Sequence, residues 1–123
     1  MAKGYVDGFV IAIPKKNKAK YIKMATEGRD IWKKFGALDY KECVIDDAKP
    51  KGVAVTFPKL VNLKAGETVW FSFITYKSKK HRDEVNKKVM AHFAKKYGDE
   101  EMASMPFAMD CFSVGGFNVE VTM

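Results

Sequence analysis

Residues 81–86 read HRDEVN and bring a histidine, a guanidinium, a carboxylate and an amide close together in the chain. His-Arg-Asp followed by Asn is the pattern of a protein-kinase catalytic loop, where the Asp takes a hydroxyl proton and the Asn holds magnesium. The spacing excludes that chemistry. The kinase Asn lies five residues beyond the Asp, whereas Asn86 lies three beyond Asp83. No glycine-rich phosphate loop, D-F-G or nucleophile motif occurs, which argues against nucleotide chemistry and hydrolysis. Acid–base work and the holding of an anionic group remain. His81 and Asp7 are the candidate proton-transfer groups, and Arg82, Asn86 and Tyr76 the candidate ligand-binding groups. His81 and His92 have no neighbouring thiol motif, so no metal site is expected, and no cofactor.

These residues need elements to position them. YVDGFVIAI (5–13), rich in β-branched and aromatic types and closed by Pro14, reads as a first strand. Asn17 caps a helix to about Phe35, stopped by Gly36, with Tyr21, Met24, Ala25, Gly28, Ile31, Trp32 and Phe35 in one apolar stripe. Gly28 on that stripe permits a close approach of helix and sheet. LDYKECVID (38–46) alternates as a second strand, and a loop follows, within which VAVTF (53–57) reads as a short irregular strand. TVWFSFITY (68–76) is the clearest strand. Ser78 caps a second long helix ending near Tyr97 before Gly98. An acidic connection, DEEMASMPF, leads to a last strand near 110–122.

The order β-α-β-β-α-β predicts one α+β domain over residues 1–123: a ferredoxin-like, four-stranded antiparallel sheet with both helices on one face. Strands two and four then lie on opposite edges, so Cys43 and Cys111 should not bond. On the second helix Arg82 and Asn86 fall near the middle of the apolar face of Val85, Val89, Phe93 and Tyr97, with His81 and Asp83 on the flanks. A buried arginine must be paired, and Asp7, Glu42 and Asp46 are the candidate partners. Two roles for Arg82 stay open: a structural ion pair, or an anion site at a helix N-terminus.

Both faces of the strands are apolar: Phe71 and Phe73 alternate with Trp70 and Ile74, and Phe9 and Ile11 with Val10 and Ala12. Two helices cover one face only. A second sheet is the simplest cover for the other, which predicts a homodimer. The net charge of +7 admits an anionic partner, whether a small organic anion in a cleft lined by the second helix and strands one and three, or nucleic acid. RNA binding is the alternative function, because FSFITY (71–76) fits the last six places of the strand-three signature of RNA-recognition motifs. Its two preceding places fail, Val69 and Trp70 standing where a basic residue and a glycine are required. The lack of a long apolar run, of a signal-peptide pattern and of a C-x-x-C pair points to the cytoplasm and away from membranes.

YVDGFVIAIPKKN (5–17), FGALDYKECVIDD (35–47), WFSFITYKSKKHRDEVNKKVM (70–90), MPF (105–107) and GGF (115–117) together resemble the YbaA-like family of bacterial proteins, within the dimeric α+β barrel superfamily. The resemblance implies a ferredoxin-like protomer whose sheet packs on that of a second copy. It also implies a cleft between sheet and helices, used in the superfamily by cofactor-free monooxygenases, isomerases and heme-degrading enzymes. The chain departs from the family in two places. AHFAKK (91–96) replaces a helix-ending Asp-Pro pair, and Asp110-Cys111 replaces a Lys-Arg pair, which alters any anion site resting on that pair.

Overall fold

The computed structural model describes residues 3–98 and 112–123. Strand β1 spans Tyr5–Pro14 and runs through a short 3-10 turn, Lys15–Asn17, into helix α1, Lys18–Lys34. Strand β2 is Asp39–Val44; a single helical turn, α2, covers Phe57–Leu60; strand β3 is Glu67–Tyr76. Helix α3, Lys79–Tyr97, precedes strand β4, Phe112–Asn118. The four strands form an antiparallel sheet in the order β2-β3-β1-β4. This is the ferredoxin-like arrangement that the element order predicts. Helix α3 passes through residues 91–96 without a break.

One expectation fails. Residues 53–57 form no strand: 53–56 are irregular, and Thr56 caps the turn of α2 with Pro58 in its first turn. A β-branched run makes a strand only where a neighbouring ladder accepts its hydrogen bonds, and this one has none. The connection 99–107, residues 110–111 of the expected last strand and the pairing of Cys111 lie outside the described residues; Cys43 is a free, exposed thiol.

Register decides which side chains meet. Tyr5 pairs with Tyr76, Asp7 with Ile74, Phe9 with Ser72 and Ile11 with Trp70, so these eight face the helices together. Tyr40 and Glu42 of β2 join that face opposite Ile74 and Ser72. The core lies between this face and the helices in two clusters. One holds Tyr5, Ile74, Tyr76, Val85 and Val89; the other holds Ile11, Ile13, Tyr21, Ala25 and Trp70. Two glycines let aromatic groups come close. At Gly28 an added Cβ would lie 3.4 Å from the Tyr40 hydroxyl, and at Gly116 it would overlap the ring of Tyr5. The opposite face carries Phe71, Phe73 and Phe117 towards solvent, with Phe71 43% exposed.

Candidate functional site

Between the sheet and the two long helices lies a cavity of about 470 Å³. Its walls are largely apolar, with Phe9 and Phe112 from the sheet and Met24, Trp32, Met90 and Phe93 from the helices. Among the described residues its charged groups are Glu27 and Glu42. Helix α1 supplies Tyr21 from its buried stripe, and β2 supplies Tyr40 and Glu42, which share a face because they are two residues apart on a strand. The Tyr21 hydroxyl donates to Glu42 Oε1 at 2.7 Å, and the Tyr40 hydroxyl to Glu42 Oε2 at 2.6 Å. Burial, then the Glu42 charge and these hydrogen bonds, push both phenols well above their usual range. Both therefore stay protonated and keep donating. Each carboxylate oxygen holds one phenol and keeps lone pairs for a further donor or a proton. At the rim, Glu27 accepts from the Tyr97 hydroxyl at 2.6 Å and from Lys96 Nζ at 2.8 Å. These contacts hold its carboxyl below the ordinary range.

The residues expected from sequence sit beside this cavity rather than on its walls. Arg82 Nη1 reaches Asp7 Oδ1 at 2.6 Å, which selects Asp7 over Glu42 and Asp46 as its partner. Asp7 is buried among core residues, and Arg82 also lies 4.9 Å over the ring of Tyr5 and bonds Asp83 at 2.7 Å. Burial works against the Arg82 charge, but Asp83 and Asp7 outweigh it and raise its pKa. Tyr76, Asn86 and Trp32 form a closed triangle. Trp32 Nε1 donates to both Tyr76 Oη and Asn86 Oδ1 at 3.1 Å, and the Tyr76 hydroxyl donates to Asn86 Oδ1 at 3.1 Å. Burial and the Asp7 charge raise the Tyr76 pKa, opposed in part by the Trp32 hydrogen bond. His81 Nδ1 accepts from the backbone N–H of Lys77 at 3.0 Å, and the backbone N–H of His81 donates to the Oγ of the cap Ser78 at 3.1 Å. None of Asp7, Arg82, Asn86, Tyr76 and His81 lines the cavity, although Trp32 carries the Tyr76–Asn86 network to its wall.

The strand-three platform for RNA comes apart in the register. Phe71 and Phe73 point to the outer face, but Tyr76 points inward, 1% exposed and hydrogen-bonded within the core. A residue three places further along a strand stands on the opposite side, so the three rings cannot stack bases together. Among the described residues no group of His, Cys, Asp and Glu has the makings of a metal site, and no helix is long and apolar enough to cross a membrane.

Together these features define a class: a ferredoxin-like α+β protomer with a cleft between sheet and helices. A Bacillus cereus crystal structure assigned to the antibiotic biosynthesis monooxygenases has the same fold, with a TM-score of 0.53 over 98% of this chain and 96% of that one at 12% identity. The chain itself belongs to the DUF1428 family, a family of proteins of unknown function, whose pattern it matches over residues 4–109. It is 40% identical over 114 residues to the uncharacterised protein YbaA of Escherichia coli K12, covering 92% of this chain and 93% of that protein. YbaA of Shigella flexneri matches to the same extent.

Proposed function

We propose that this protein is a cytoplasmic homodimer that binds one small, mainly apolar organic molecule per protomer in the cleft between sheet and helices. The observation that carries the reading is the Tyr21–Glu42–Tyr40 cluster on the wall of a largely apolar cavity. Small-molecule sites combine apolar walls with a few convergent polar groups in this way. Proton transfer to Glu42 is the chemistry the cleft offers, and cofactor-independent oxidation of a bound molecule would add dioxygen as the electron acceptor after that step. Asp7 and Arg82 we assign to locking α3 onto β1, since each is the other's partner. His81 we assign to closing the N-terminal turn of α3. The exposed aromatic face of Phe71 and Phe117 supports burial against a second copy, and the exposed thiol of Cys43 suits a reducing compartment.

The neutral probe N-phenyl-1-naphthylamine tests the cleft. Its fluorescence should rise on titration to one site per protomer, and Met90→Trp, which fills the wall from an exposed position, should abolish the rise. No fluorescence rise with the parent protein would remove the cleft as a binding site.

A further inference from the structure

The charges around the cleft narrow the class of molecule it takes. Lys and Arg number 22 in this chain and the net charge is +7, yet the cavity wall carries no basic residue among those described. The charged residues on it among those described, Glu27 and Glu42, are both carboxylates. Glu27 at the rim is already matched by Lys96. Glu42 is not: the phenols of Tyr21 and Tyr40 hold its oxygens, and no Lys, Arg or His among the described residues lies within salt-bridge distance. Lys18 and Arg29 line a neighbouring cavity that Glu42 and Tyr40 also line, where both basic residues are solvent-exposed and Arg29 pairs with Asp30 at 2.9 Å. Aromatic faces complete the surroundings. The Trp32 and Tyr40 rings are 5.9 Å apart, and the Trp32 and Phe93 rings 6.3 Å.

A partly buried carboxylate without a counter-charge favours a cation beside it, and ring faces attract cations through their quadrupole. An anion would meet like charge and no donor cation. The geometry points to an organic amine as the ligand, its ammonium group at Glu42 beside the Tyr40 and Trp32 rings and its apolar body among Phe9, Phe93 and Phe112. This rests on the cleft being a binding site, and it reverses the expectation of an anionic ligand, since the guanidinium that would have held one is engaged with Asp7.

Three probes of nearly equal size separate the alternatives: 1-naphthylmethylamine, 1-naphthylmethanol and 1-naphthoate, titrated at pH 7 by calorimetry. The amine, protonated at this pH, should bind about tenfold tighter than the alcohol, and the carboxylate most weakly. In Glu42→Gln the ratio of amine to alcohol affinity should fall to near one, and in Glu42→Asp, which keeps the charge, most of the ratio should survive. An amine that binds no better than the alcohol overturns the proposal while leaving the cleft reading intact, and so does a preference that survives Glu42→Gln. If no probe binds, both fall. The ordering in the parent protein decides the matter even where a variant does not fold.

Discussion

Replacing Arg82 with methionine keeps the length of the stem and removes the charge, leaving the Asp7 carboxylate without its partner. The side chain of Asp7 is 5% exposed and that of Arg82 20%, so water can relieve only part of the loss. Breaking a buried pair by removing one member costs about 3–5 kcal/mol, and the partial exposure of Arg82 places this case at the lower end. The contact over Tyr5 contributes about 0.5–1 kcal/mol more, while the bond to the exposed Asp83 contributes almost nothing. About 3.5–4 kcal/mol in all is therefore expected. For a domain of this size that lowers Tm by roughly 15 °C. Urea unfolding followed by tryptophan fluorescence measures the difference, with Asp7→Asn and the double variant completing a cycle. The double variant should be more stable than Arg82→Met alone, because no unpaired carboxylate stays in the core. A single variant within 1 kcal/mol of the parent, or a double variant less stable than both single ones, would refute the assignment of this pair as the lock between α3 and β1.

Gly116→Ala should destabilise the protein by about 1–3 kcal/mol, measured by the same unfolding curves, because the new methyl group would overlap the ring of Tyr5 in the core. Tyr21, Tyr40 and Tyr76 all have raised pKa values in the folded state, through burial first, so they bind protons that the unfolded chain releases. Their contribution to stability is thus complete below about pH 10 and declines as pH rises beyond it. An absorbance titration should show these phenols ionising only as the fold is lost. Phe71→Glu should convert a dimer to monomers in light scattering behind size exclusion, and a monomeric parent would end the homodimer reading.

Much of the scaffold was legible because it rests on local signals. The helix stripe with Tyr21 and Gly28, the Ser78 cap and the strand alternation in 68–76 each need only a few neighbouring residues. The two-faced strands also foretold a sheet with one side left uncovered. The site was less legible. Arg82 announced a buried charge, but three carboxylates were equal candidates until register set Asp7 beneath it. The Tyr21–Glu42–Tyr40 cluster depends on where α1 crosses β2, which no local pattern encodes. A signal did exist: Tyr40 and Glu42 alternate onto one face, and a tyrosine on a buried stripe must find a partner for its hydroxyl. The misreading of 53–57 has the reverse cause, since strand propensity was present there without a ladder to join.

The sheet order carries a consequence for how the chain reaches its native state. Strand β1 is central, paired with β3 on one side and β4 on the other, and Tyr5 lies opposite Asn118. In this sheet β1 must therefore wait for β4, about a hundred residues further along the chain, before its ladder closes. Loops that long are slow to close, so this topology favours slow folding for its size. Until residues 112–118 emerge, the aromatic and β-branched run of β1 has an open edge, the kind of segment that other nascent chains or chaperones capture.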